Sequence, residues 1–345
     1  MNRTYLDMIQ GQEPAYTPVW FMRQAGRSQP KYREIKKTYS LFDITREPEL
    51  CAYVTNLPVE EYGLDAAILY KDIMSPMAAI GVEVKLVPGK GPVFERPIQR
   101  AADLDQIGAF DGSKVSYIAD TIKLLTSEVL DVPLIGFCGG PFTIASYLVE
   151  GGPTKSYNKT RGLMVSQADL WDDLMNRLAD MSIDYLSMQI EAGANALQIF
   201  DSWIGAVSAE QYHAHIFSHM DKIISTMKAK YPHIPLAMNG VGNAHLVEEW
   251  GQLPIDVLAL DWRCPIDRLG QLGIDKVVQG NLDPAFLYAP THVLDKELDA
   301  IVEAGLRHGR HVFNLGHGVF PEADPAKLKY ITEYVHEKSS ALRAK

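Results

Sequence analysis

Eight short apolar runs, each ending in polar or glycine residues, alternate along the chain with segments of helical pattern. The first covers residues 18–22 and ends in Arg23. The second covers 66–70 and ends in Lys71 and Asp72, and the third covers 134–138 and ends in Gly139, Gly140 and Pro141. Residues 196–200 lead to Asp201 and Ser202, 236–238 to Asn239 and Gly240, and 257–260 to Asp261. The last two, 277–278 and 311–315, lead to Gln279-Gly280-Asn281 and Gly316-His317-Gly318. Unbroken apolar runs of this kind suit strands buried on both faces of a parallel sheet. Eight of them, with helices between, predict an α/β fold, a (β/α)8 barrel. The clearest helical segment spans 174–190, with Leu174, Leu178, Met181, Tyr185 and Met188 at helical spacing and Gly193 closing it. Residues 82–98 differ, because Pro88-Gly89-Lys90-Gly91-Pro92 between β-branched runs predicts a hairpin inserted after the second strand.

A chain of 345 residues, 47% hydrophobic, fits one large barrel. No Gly/Ser linker divides it, so one domain over 1–345 is expected. The rival is an open doubly wound sheet, which would carry a glycine-rich first turn for a nucleotide. Here the first turn carries Arg23 and Arg27 instead, and the Gly240-x-Gly242 run lacks the third glycine of a dinucleotide fingerprint.

Two arginines held close together in a chain of net charge -10 predict a site for an anion with several carboxylates or phosphates. The net charge argues against nucleic acid and against an anionic membrane surface. The three cysteines are widely spaced, residues 1–7 contain no apolar leader, and no apolar run is long enough to span a bilayer; a cytoplasmic protein is expected.

In a barrel, polar residues at the C-terminal ends of strands converge on one site. That rule selects Arg23, Arg27, Asp72, Tyr147, Ser202 and His317. Each also has a plainer reading. The arginines could form surface ion pairs, Asp72 could cap a helix starting near Ser75-Pro76, and Tyr147 could be core with a satisfied hydroxyl. Ser202 could be an N-cap, and Cys138 a small apolar strand residue instead of a nucleophile. Gly316 and Gly318 would permit unusual backbone angles around His317, or close approach of a ligand. No His-x-Cys, His-Glu-x-x-His, Gly-x-Ser-x-Gly or Walker sequence is present, and no metal or cofactor site is read from the residues.

Taken together, these strand-end motifs resemble the uroporphyrinogen decarboxylase family from about residue 5 to 334. The most specific is Pro18-x-Trp20-x-Met22-Arg23-Gln24-Ala25-Gly26-Arg27. Asp65-Ala66-Ala67-Ile68 before Asp72-Ile73, Gln198-x-Phe200-Asp201-Ser202, Gln279-Gly280-Asn281-Leu282-Asp283-Pro284 and Asn314-Leu315-Gly316-His317-Gly318 support it. The resemblance implies a cofactor-independent homodimeric barrel that converts uroporphyrinogen III to coproporphyrinogen III. It implies catalytic positions at Asp72, Arg27 and Tyr147. Substrate-binding positions would be Arg23, Gln24, Arg27, Asp72, Tyr147, Phe200, Ser202 and His317. The chain departs from the pattern at Ser28, often tyrosine, at Lys71, often serine, and at Gly140 and Phe142, often alanine and tryptophan. Lys71 adds a cation, as an octacarboxylate would favour. Two other readings stand beside this one: a corrinoid- or thiol-dependent barrel methyltransferase, which would need a zinc site, and a non-catalytic tetrapyrrole-binding protein.

Overall fold

The computed structural model describes residues 1–87 and 89–345. Among the described residues, nine strands are numbered in chain order: β1 (Ala67–Ile68), β2 (Lys85–Val87), β3 (Gly91–Val93), β4 (Leu134–Gly139), β5 (Ala196–Asp201), β6 (Leu236–Gly240), β7 (Val257–Ala259), β8 (Val277–Gln279) and β9 (His311–Val312). Seven form one parallel sheet in the order β1-β4-β5-β6-β7-β8-β9. Every residue of these seven is buried, as apolar runs covered on both faces require. Consecutive strands are neighbours, and the crossovers between them carry helices, which is the barrel arrangement.

The first apolar run does not form the full strand expected of it. Only Val19 pairs, in an isolated parallel bridge with Phe313. It still joins the sheet edges. Phe313 N–H donates to Pro18 O at 2.8 Å and Trp20 N–H to Phe313 O at 3.3 Å, while Asp65 N–H, just before β1, donates to Val19 O at 2.9 Å. The segment is short because Pro18 has no N–H to donate and the chain turns at Arg23.

Inside the ring, Trp20 Nε1–H donates to Gln279 Oε1 at 3.1 Å, and Gln279 Nε2–H to Gln198 Oε1 at 3.2 Å. These buried side chains reach one another from three different segments, so the interior is packed and is not a pore.

The helix predicted over 174–190 runs over Ala168–Glu191. Leu174 and Leu178 are fully buried, on a helix that packs against β4 and the helix Phe217–Lys230. Each such leucine stabilises the fold by about 1.5–3 kcal/mol. Gly193 follows at φ 118°, a left-sided backbone where a Cβ would strain.

β2 and β3 form the expected hairpin, with Lys85 opposite Val93 and Val87 opposite Gly91. Pro88, part of its predicted turn, lies outside the described residues. The hairpin is tied to the body where Phe94 N–H donates to Gly151 O at 3.0 Å, and Leu86, Gly91 and Pro92 overhang the C-terminal end of the ring.

Candidate active site

A cavity of about 680 Å³ opens at the C-terminal ends of the strands, within the range of small-molecule sites of roughly 300–1,000 Å³. Among the described residues, its only formally charged lining is Arg23, Arg27, Lys71 and Asp72. Two guanidiniums and one carboxylate thus face a single space in a chain of net charge -10, with the stem of Lys71 in its wall.

The arginine loop is held by its neighbours. Gln24 N–H donates to Phe21 O at 3.0 Å, closing a turn that puts Arg23 at φ 61°. A left-handed residue with a Cβ costs on the order of 1 kcal/mol, and such strain persists where surrounding contacts impose it. Here Met22 N–H donates to Asn314 Oδ1 at 3.1 Å and Val319 N–H to Met22 O at 2.9 Å, so the loop after β9 braces the turn. Downstream, Gln29 Nε2–H donates to Glu61 at 2.7 Å, and Arg33 donates to the carbonyls of Arg27 and Ser28 at 3.0 and 2.8 Å. Arg23 stands exposed in the cavity, yet protein surrounds it closely enough that desolvation lowers its pKa, with Arg27 adding to the effect and Tyr147 opposing it.

Gln24 is not part of the cavity wall. Its fully buried amide accepts Phe21 N–H at 3.1 Å and donates to Ala66 O at 3.3 Å. It fixes the arginine turn, a structural role, and does not itself line the cavity.

Asp72 follows β1 and is partly exposed in the cavity. Its Oδ1 accepts Met74 N–H at 2.7 Å and its Oδ2 accepts the Ser75 hydroxyl at 3.0 Å, ahead of a 3-10 turn over Ser75–Ile80. Asp72 does not cap that turn, whose N-cap is Met74 with no side-chain cap bond; its local bonds instead aim a carboxylate that lines the cavity. Lys71 beside it also lines the cavity wall, but its ammonium tip is buried. Nζ lies 4.3 Å over the Tyr117 ring and has no hydrogen-bond partner among the described residues. Burial pushes its pKa down to about 8, against the pull of Cys51 and Asp72.

Tyr147 sits on the helix Pro141–Glu150 and stacks on Trp203 with ring centroids 4.0 Å apart. Burial, then the nearby Tyr157 phenol, raises its pKa, so the hydroxyl stays protonated and can donate. Phe200, at the end of β5, meets Phe137 edge-on at 5.3 Å, and both line the cavity floor. Ser202 lines the wall and caps no helix.

His317 does not reach the cavity wall. Its Nδ1 accepts Gly318 N–H at 2.7 Å, and its pKa is lowered by desolvation and by the neighbouring Arg23 charge. Gly316 and Gly318 do not adopt positive φ. They are small for packing: a Cβ on Gly318 would stand 2.5 Å from Arg23 Cδ, and one on Gly316 would collide with the Trp262 backbone. The close approach expected of a ligand is made instead by the protein itself, and it seats Arg23.

The residues alone did not single out Tyr32 and Tyr70, which share a short hydroxyl contact and line the cavity. Tyr70 ends an apolar run, but Tyr32 lies on the helix Pro30–Thr38, far from any strand end, and nothing in its surroundings signals the pairing. Cys138 is a buried strand residue whose thiol burial pushes up to about 12, which leaves no nucleophile at neutral pH. Among the described residues, no three His, Cys, Asp or Glu side chains come together in a way that could hold a metal ion.

Residues 1–338 match the family model described as uroporphyrinogen decarboxylase (URO-D). The uroporphyrinogen decarboxylases of Staphylococcus aureus strains USA300 / TCH1516 and JH9 are each 54% identical to the chain over 336 residues, covering 97% of it and 97% of their own length. Among solved structures, a methyltransferase from Methanosarcina mazei has a TM-score of 0.76 at 17% identity and covers 98% of both chains. A B12-independent methionine synthase from Shewanella sp. W3-18-1 has a TM-score of 0.61 at 13% identity, covering 90% of this chain and 92% of its own. These two share the barrel fold, whereas the family match spans nearly the whole sequence at high identity. The chain belongs to the uroporphyrinogen decarboxylase family.

Proposed function

We propose that the protein is a carboxy-lyase of porphyrin biosynthesis that converts the four acetate side chains of uroporphyrinogen III to methyl groups, giving coproporphyrinogen III. The observation that carries this reading is the lining of the cavity in a member of this family: two exposed guanidiniums for an octacarboxylate, with one carboxylate set beside them.

The chemistry follows from the substrate. Loss of CO₂ directly from an acetate would leave a carbanion on an electron-rich pyrrole. Protonation of an adjacent ring carbon turns the ring into an iminium cation, which accepts the electron pair as the C–C bond to CO₂ breaks. The exocyclic methylene is then protonated to methyl, and the ring proton is returned. Each turnover at one acetate consumes one proton and releases one CO₂. The ring is its own electron sink, so the protein supplies binding, orientation and electrostatics.

Asp72 accepts the pyrrole N–H groups and offsets the developing cation. Arg23 and Arg27 hold carboxylates through bidentate forks, and Arg27 belongs with Asp72 and Tyr147 to the reacting set. Tyr147 and Ser202 orient carboxylates, Phe200 supports the macrocycle, and His317 acts through Arg23. The same reading carries a cytoplasmic homodimer of one domain over 1–345, with neither nucleic acid nor membrane as partner. Its support is the family, the net charge of -10 and the lack, among the described residues, of any helix long and apolar enough to cross a membrane.

Anaerobic incubation of the purified protein with uroporphyrinogen III tests the activity. Coproporphyrinogen III and four equivalents of CO₂ are expected. Absence of CO₂ would replace the reading with that of a non-catalytic tetrapyrrole-binding protein, and methyl transfer from a methylated corrinoid or thiol donor would replace it with a methyltransferase one. Light scattering at micromolar concentration tests the dimer.

A further inference from the structure

We propose that Asp201 is a positioning residue for Tyr147, acting through Thr143 and Trp203. The inference rests on the decarboxylase reading and explains how one wall of that site is held.

Asp201 ends β5 between Phe200 and Ser202, both of which face the cavity. Its own side chain turns the other way and is fully buried. Oδ1 accepts Thr143 N–H at 2.9 Å and the Thr143 hydroxyl at 2.5 Å. The entry to the helix Pro141–Glu150 is pressed against it: Gly140 N–H donates to Phe200 O at 2.8 Å, and a Cβ on Gly140 would lie 2.8 Å from Asp201 Cα. Thr143 Oγ1 in turn accepts Trp203 N–H at 3.0 Å. The Trp203 ring stacks on Tyr147, tilted by 26°. Tyr147 is four residues after Thr143 on the same helix and so shares its face. One carboxylate therefore anchors both members of the stack, the tyrosine through its helix and the tryptophan through the threonine hydroxyl. No cation pairs with it among the described residues, so an ion pair does not account for a charged group at this depth.

Burial pushes the Asp201 carboxyl up to about 6, against the Thr143 bonds. The titratable groups facing it are Cys138 on β4 and Tyr212 on the helix Ala209–His215, both shifted upward by burial and neutral near that pH. Uptake of a proton weakens the carboxylate as an acceptor and loosens the anchor.

Thr143→Val keeps the side-chain volume and the backbone bond to Asp201 but removes the hydroxyl relay. It should lower kcat about tenfold, the cost of one lost hydrogen bond, with KM changed by less than about threefold. In a Tyr147→Phe background the same substitution should have almost no effect, because the hydroxyl it places is gone. Asp201→Asn keeps the acceptor and cannot titrate, so the component near pH 6 in the acid limb of kcat should disappear. Multiplicative losses in the double variant, a silent Thr143→Val, or an acid limb unchanged in Asp201→Asn would each overturn the proposal. A readout without substrate separates it from the reading of the reaction: the near-UV circular dichroism difference between wild type and Trp203→Phe should shrink in Thr143→Val. A wild-type protein that fails to turn over uroporphyrinogen refutes the decarboxylase reading, while that spectrum still decides whether the stack is anchored as described.

Discussion

Replacement of Lys71 by methionine tests the electrostatics of the site most directly. The Lys71 ammonium is buried over Tyr117, has no acceptor among the described residues and is held at a pKa of about 8 against an ordinary 10.5. A shift of about 2.5 units corresponds to about 3 kcal/mol of differential stability between its two forms. The sign follows from which form burial favours. The folded state prefers the neutral amine, and the unfolded state holds the proton to higher pH. The full penalty is present below about pH 8 and is relieved as pH rises toward 10.5. By pH 9.5 about 1.5 units, or about 2 kcal/mol, should have been recovered. Methionine keeps most of the stem and carries no charge. Urea denaturation of wild type and Lys71→Met at pH 7, 8, 9 and 9.5 measures the difference. Wild type should gain about 2 kcal/mol relative to the variant over that range, and the subtraction removes titrations common to both. Cys51, Asp72, Arg46 and Tyr117 face the ammonium, and none lifts its pKa back to the ordinary value. A difference that stays flat with pH would mean the ammonium is paired or hydrated in solution, and the account of it as an isolated buried cation would fail.

Asp72→Asn should lower kcat by about 10²–10³-fold, while the fold is kept because the amide oxygen still accepts Met74 N–H; near-normal turnover with uroporphyrinogen would remove Asp72 from the mechanism. Arg27→Lys gives up the guanidinium fork, and losing one charge-assisted bond of about 1.5–3 kcal/mol should raise KM at least tenfold; unchanged kinetics would end the clamp assignment. Gly318→Ala puts a methyl against Arg23 Cδ, so thermal melting should show a loss of about 1–3 kcal/mol from overpacking, together with a raised KM. If KM stayed the same while stability fell, Arg23 would be separated from binding.

The ring was legible because its strands are buried on both faces and therefore read as unbroken apolar runs. β4, β5 and β6 appear where their sequences place them, extended by one or two residues into Gly139, Asp201 and Gly240. The run at 18–22 has the same composition but forms one bridge, because proline and a turn leave it few ladder bonds, and neither limit shows in hydrophobicity. Strand ends pointed to Arg23, Arg27, Asp72 and Ser202, since position in a barrel largely decides where such residues face. Side-chain direction was not legible. Gln24 and Arg23 are adjacent, yet one is wrapped in backbone bonds and the other faces the cavity. Asp201 lies between two lining residues and points away from the cavity, into a contact 58 residues back along the chain. Only the packed structure distinguishes these cases.

The bridge between Val19 and Phe313 has a consequence for how the protein is made. Nearly the whole chain separates the two partners. Arg23, a few residues past one of them, is seated on Gly318, a few residues past the other. The anion clamp therefore cannot exist on a nascent chain until the segment around 311–318 has left the ribosome and docked. Until then β4, β5 and β6 can pair with one another, but the arginine turn has nothing to brace it. Competence to grip substrate thus needs both ends of the chain, and it arrives only after most of the sequence has been made.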